Sequence, residues 1–209
     1  MTENTPNLNT AYALTTPEDS VALYANWAAD YDQTFATAQD YQLHIRTAQA
    51  FCKAGGHGPV LDVGTGTGLC AAVLADMGVS PIDGTDISPQ MLEQAREKHV
   101  FRALFPADIT KPLSLPSAPY RGIVSSGTFT HGHVGPQAID VLLALAAPGA
   151  IFALSINAQH YQTQGFAEKL SALGPQISDL KLHKVAIYGP RAAGSHKDDL
   201  AMIACFSRT

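Results

Sequence analysis

Apolar residues recur along this chain in two rhythms, and the change falls near residue 59. Before it the spacing is helical. Val21, Tyr24, Ala28 and Tyr31 follow Thr16-Pro17, a pair suited to an N-cap and a first helical position. Tyr41, Ile45, Ala48 and Cys52 repeat the stripe in a second predicted helix, which starts near Thr37 and stops at Gly55-Gly56. Beyond residue 59, short continuous apolar runs alternate with helical stretches. Strands are predicted at 59–63, 82–87, 101–105, 122–125 and 150–156, with helices over 67–77, 89–98 and 135–146. A helix over 162–173 and two strand-like runs, 182–188 and 200–206, complete the pattern. Strands without a polar alternation, separated by helices, predict an α/β fold whose parallel sheet is covered on both faces. Residues 1–15 are rich in Asn and Thr and are expected to form a loose tail. The remaining chain divides into a helical segment, 16–56, and an α/β domain, 57–209.

Composition agrees with that burial. Of 209 residues only 15% are charged, against about 25% in an average soluble chain, while 46% are hydrophobic. A net charge of −5 argues against non-specific nucleic-acid binding. Three cysteines (Cys52, Cys70, Cys205) form no CxxC pair, which fits free thiols in a reducing cytoplasm better than disulfides or a zinc site. The opening MTENTPNLNT has no apolar leader. The most apolar stretch, 141–154, is interrupted by Pro148-Gly149 and is too short to span a bilayer. No membrane partner is expected, and the cytoplasm is the expected location.

The informative segment is Leu61-Asp62-Val63-Gly64-Thr65-Gly66-Thr67-Gly68. A strand ending in such a turn lets backbone approach a ligand where a β-carbon would collide, and the next helix aims its N-terminal amides there. Asp86 lies at the end of the second predicted strand, eighteen residues after Gly68. A carboxylate there can hold both hydroxyls of a ribose. Two readings compete. Gly66, Gly68 and Ala71 satisfy the G-x-G-x-x-G/A fingerprint of a dinucleotide site, whereas Asp62 sits two residues before the first glycine. A carboxylate at that turn would repel a pyrophosphate; it favours S-adenosylmethionine, which carries a sulfonium and an ammonium and no phosphate.

VLDVGTGTG, then TDIS with Asp86 and ADIT with Asp108, resemble the first three motifs of class I S-adenosylmethionine-dependent methyltransferases. GIVSSGTFTHGHV and AAPGA resemble the small-molecule branch of that superfamily, so the likeness covers roughly residues 20–157 in order and spacing. It implies a Rossmann-like three-layer sandwich with a seven-stranded, mostly parallel sheet and an antiparallel last strand. The implied cofactor is S-adenosyl-L-methionine. Gly64, Thr65, Gly66 and Gly68 would approach its methionine and ribose parts, and Asp62 would orient the amino group. Asp86 would hold the ribose, with Ile87 and Met91 beside the adenine. Asp108 would accept from the adenine amino group, Ile109 would cover the other ring face, and Ser125 and Ser126 would border the methionine. Strand four departs from many relatives in lacking an acidic residue at Tyr120-Arg121-Gly122, and AAPGA has Ala150 where a second glycine is common. Neither position belongs to the cofactor motif.

Methyl transfer is an in-line displacement that needs alignment first, and a base only if the acceptor must lose a proton. His131 and His133, just past strand four, are the candidate bases. YANWAADYD resembles the lid helix of small-molecule methyltransferases; there Tyr31 would face the sulfonium and Trp27 would pack the helix down. The other histidines, His44 and His160 included, have no partner at metal spacing and are expected at the surface or in satisfied packing, so no metal is implied. No D/N-P-P-Y and no Pro-Cys follows strand four, which disfavours transfer to nucleic-acid bases. The expected activity is methylation of a small organic acceptor by a monomer or homodimer. The alternatives are a different adenosine-cofactor enzyme on this fold, such as an NAD enzyme, or an inactive cofactor-binding module.

Overall fold

The alternation of strand and helix seen from residue 59 onward is realised as one seven-stranded sheet in the order β3-β2-β1-β4-β5-β7-β6. A computed structural model describes residues 22, 23, 25, 27, 28, 30–130 and 134–209. The strands are β1 (Val60–Val63), β2 (Ile82–Asp86), β3 (Phe101–Pro106), β4 (Tyr120–Phe129), β5 (Ala146–Asn157), β6 (Ile177–Ala186) and β7 (Leu200–Arg208). The first five pair in parallel, and β7 runs antiparallel between β5 and β6. The helices are α1 (Leu43–Lys53), α2 (Leu69–Asp76), α3 (Pro89–Arg96), α4 (Ala138–Leu145), α5 (Ala158–Thr163) and α6 (Phe166–Ala172).

The period of two along each strand sorts side chains into two cores. Leu61, Val63, Ile123, Phe152 and Leu154 face α4 and α6; Val60, Ile82, Val124 and Ala153 face α1 and α2. Each fully buried large side chain, such as Phe51 or Phe152, contributes about 1.5–3 kcal/mol. The central strands β1 and β2 have almost no exposed position, which explains the scarcity of charge. That explanation stops at the edges. Most of β6 is exposed, with Leu180 and Leu182 each 40% accessible.

Three sequence expectations are corrected. The helix expected from Thr37 begins at Leu43, because residues 31–37 form a π-helical turn closed by Tyr41 N–H donating to the Ala36 carbonyl. Asp40 then reverses the chain with a φ of 50° and pairs with Arg191, while Tyr41 bridges to Tyr188. The single helix expected over 162–173 is two. Asn157 caps α5 early through the Gln159 and His160 amides, and Gly165, at φ 75°, separates it from α6. Strands β4 and β5 are longer than their apolar runs, since Ser126, Thr128 and Asn157 extend them toward the cavity. The start of the first predicted helix at Thr16, Tyr24, and both candidate bases, His131 and His133, lie outside the described residues.

Candidate active site

The carboxyl ends of β1, β2 and β4 open into a cavity of about 220 Å³. Its floor is the glycine turn. Gly64 adopts φ 61°, and a β-carbon there would run into the Thr128 side chain, so only glycine lets the turn lie this close to β4. Thr128 in turn donates its hydroxyl to the Val63 carbonyl at 3.0 Å.

Asp62 is almost completely buried at the end of β1. Its Oδ2 accepts from the Thr65 hydroxyl at 2.6 Å, while Oδ1 is enclosed without any hydrogen-bond partner. Burial pushes this carboxyl up to about 7 against the pull of the Thr65 hydroxyl and the Ala71 amide. A buried carboxylate oxygen left unpaired is expensive, and a cationic donor in the cavity would satisfy it. Asp86 accepts from the Gly66 amide at 2.8 Å through Oδ2 and from the Ser88 amide at 2.9 Å through Oδ1. Burial raises its pKa in spite of those amides. Ser88 also caps α3, its hydroxyl accepting from the Met91 amide. Asp108 is tied differently. Burial works to raise its pKa, but the Thr110 hydroxyl and Lys111 outweigh it and the net shift is downward.

Asp62, Gly64, Thr65, Gly66, Asp86, Ile87, Met91, Asp108, Ile109, Ser126 and Tyr31 all line the one cavity. Gly68 and Ser125 do not. Gly68 sits behind the turn as the α2 N-cap, and the fully buried Ser125 donates its hydroxyl to the Val63 carbonyl at 2.8 Å.

Aromatic rings from the segment expected to form the lid also line the cavity. Trp27, Tyr31, Phe35 and Tyr41 contact one another with ring centroids 4.9–5.4 Å apart. Edge-on and tilted contacts of this kind add to area burial. Asp32 fastens the lid: Oδ1 accepts from the Thr67 hydroxyl at 2.5 Å and Oδ2 from Lys98 Nζ at 2.6 Å. Nothing in the sequence spacing signals Asp32, because its partners are 35 and 66 residues away.

His44 was also not legible as a site residue. It lines the cavity, stacks on Tyr41 with centroids 5.3 Å apart, and leaves Nδ1 enclosed without a partner. Burial pushes its pKa down to about 4, with Asp32 opposing and Lys98 reinforcing the shift. His160, by contrast, is satisfied packing: its Nε2 lies 3.0 Å from the Val134 carbonyl. Cys70 is buried on α2 and its thiol pKa is raised by burial. Among the described residues no group of His, Cys, Asp or Glu could hold a metal, and no helix is long and apolar enough to cross a membrane.

Strand order, glycine turn and the enclosed acids together give the chain a Rossmann-like methyltransferase fold. Residues 60–149 match the family model described as a methyltransferase domain. Methyltransferase-like protein 27 of Homo sapiens is 32% identical over 154 residues, or 71% of this chain and 62% of that protein. The ribosomal protein L11 methyltransferase of Geobacter metallireducens is 32% identical over 121 residues, 56% of this chain and 40% of that protein. The chain therefore spans less than two thirds of the length of either curated relative. Among solved structures, DhpI in complex with S-adenosylhomocysteine aligns over 90% of this chain and 95% of its own, with a TM-score of 0.64 and 18% identity; this is a likeness of fold.

Proposed function

We propose that this protein transfers the methyl group of S-adenosylmethionine to a small organic acceptor held under the aromatic lid. The observation that carries the reading is Asp62, whose buried and unpartnered Oδ1 lies beside a glycine turn followed by Asp86. When bound, the cofactor supplies a methyl group on a sulfonium, which needs no further activation. The residues then bind and orient. Asp62 accepts from the cofactor ammonium, Asp86 takes the ribose hydroxyls on its free lone pairs, and Gly64 and Gly66 give backbone access. Ile87, Met91 and Ile109 flank the adenine, and Asp108 accepts from its amino group. Tyr31 turns its ring toward the sulfonium. Where the acceptor must lose a proton, His131 or His133 takes it; Thr130 and Val134, their neighbours in the sequence, both line the cavity wall.

The protein is expected to act in the cytoplasm as a monomer or homodimer, without nucleic acid or membrane. The name of the L11 methyltransferase makes a protein acceptor the outcome to test against. Incubation with methyl-labelled cofactor and a fractionated cell extract separates the two. Label in the small-molecule fraction, lost by roughly tenfold or more in His131→Ala or His133→Ala, supports the reading and its base. Label confined to protein contradicts it.

A further inference from the structure

The cavity wall divides by charge. Its three carboxylates, Asp62, Asp86 and Asp108, belong to the half assigned above to the cofactor. The half under the lid is built from rings and hydroxyls, and among the described residues it holds no Asp, Glu, Lys or Arg. Among the described residues His44 is its one imidazole, and burial keeps that ring neutral at physiological pH. Asp32 and Lys98, the two charges that act on His44, pair with each other at 2.6 Å and do not line the cavity.

This division selects against charged acceptors. An anion would meet three carboxylates and find no fixed cation to replace its lost hydration. A cation would share an enclosed, weakly screening space with the cofactor sulfonium. An uncharged molecule with an apolar body meets neither penalty, and Trp27, Tyr31, Phe35 and Tyr41 offer it flat faces and edges. Such a molecule still carries one polar group, the nucleophile. A neutral imidazole has one nitrogen with a proton and one with a lone pair; Nδ1 of His44 is enclosed out of a ligand's reach, so the ring meets the polar group of an acceptor through Nε2.

Building on the methyltransferase reading, we propose that the acceptor is an uncharged, largely apolar small molecule with a hydroxyl or N–H nucleophile, and that His44 orients that group by a hydrogen bond while its departing proton goes to His131 or His133. His44 is then a positioning and specificity residue. It fixes where the nucleophile lies, and its neutrality keeps the lid half of the cavity free of charge.

The test uses three probes that share a ring and differ in charge: benzyl alcohol, benzoate and benzylamine. Each is titrated by calorimetry into protein saturated with S-adenosylhomocysteine at neutral pH. Benzyl alcohol is expected to bind at least about tenfold more tightly than either charged probe. His44→Phe should weaken benzyl alcohol by about fivefold or more, and His44→Gln, which keeps a hydrogen-bonding group, should recover most of the loss. Both variants should hold S-adenosylhomocysteine as tightly as the parent, which reports an intact fold. A charged probe that binds as well as the alcohol overturns the proposal. So does the absence of saturable binding by any of the three, or an unchanged His44→Phe. Failure of the parent protein to bind S-adenosylhomocysteine would contradict the methyltransferase reading instead.

Discussion

At Asp62 a single carboxyl couples folding to pH and, on the proposed function, to the cofactor. Its ordinary pKa is 3.8, and burial carries it to about 7 in the ligand-free protein. Between those values the folded chain binds a proton that the unfolded chain has released. Stability therefore falls as pH rises through that window, by at most about 4 kcal/mol from this group. Thermal melts from pH 5 to pH 8 should show the decline, and Asp62→Asn should flatten most of it. Asp86, also raised by burial, leaves a residual slope of the same sign. A cofactor ammonium placed on Asp62 reverses the shift, so S-adenosylhomocysteine binding near pH 6.5 should release protons. Calorimetry in buffers of different ionisation enthalpy reads that release directly, and Asp62→Asn should abolish it. Gly64 gives a steric counterpart. Gly64→Ala places a β-carbon against Thr128 at a φ of 61°, and cofactor affinity should fall by roughly a hundredfold. Both residues were legible in the sequence because their chemistry is local: an acid at a fixed offset from three glycines. His44 was not. Its role follows from a stacked Tyr41 and a cavity whose far wall comes from elsewhere in the chain, and spacing carries neither.

At the scale of elements, the lid is held by charge-assisted bonds at its base and by ring packing along its length. Asp32 joins it to the glycine turn through Thr67 and to the end of α3 through Lys98. Partial exposure of the ion pair limits the Lys98 share to about 1 kcal/mol or less, and the Thr67 bond adds to it. Asp32→Ala should speed release of bound S-adenosylhomocysteine by roughly five- to tenfold with little change in melting temperature. Trp27 is the only tryptophan and lines the cavity, so stopped-flow fluorescence can follow that release. The elements themselves were readable where periodicity is strong. β1, β2, β3, α3 and β7 fall within a few residues of their predicted spans. The errors lie at backbone events that periodicity does not encode: the π-helical turn before α1, and the Asn157 cap and Gly165 break around α5. In the first region the tertiary contacts of Asp40 with Arg191 and of Tyr41 with Tyr188 override local helical preference; in the second the break is local, made by the Asn157 cap and the left-handed Gly165.

Across the whole molecule, the cofactor end of the sheet is balanced by an anchor near its amino end. Asp83, fully buried on β2, accepts two bonds from Arg102 on β3, at 2.9 and 2.7 Å, and one from Tyr120 on β4 at 2.9 Å. Burial works to raise its carboxyl, but these donors outweigh it and hold it below its ordinary 3.8. That stabilisation is present above the unfolded value and is lost as pH falls through the folded one. Arg102→Met strands the carboxylate. Because the Arg102 side chain is 43% exposed, the cost should be roughly 2–3 kcal/mol, less than for a fully buried pair. A drop in melting temperature with unchanged S-adenosylhomocysteine affinity would show that the anchor and the site are separate.

The parallel core was legible because buried strands leave a continuous apolar trace. The expected run 182–188 found β6 but missed its first five residues and its exposure, and the network around Asp83 was not legible, since it depends on neighbours that only the folded sheet supplies.

The central claim is that the glycine turn and its acids hold S-adenosylmethionine and not a dinucleotide. Calorimetric titration of the protein with S-adenosylhomocysteine and, separately, with NADH tests this most directly. Saturable binding of S-adenosylhomocysteine, lost in Asp86→Ala, with no binding of NADH, is the predicted result. Saturable binding of NADH without binding of S-adenosylhomocysteine would contradict the claim.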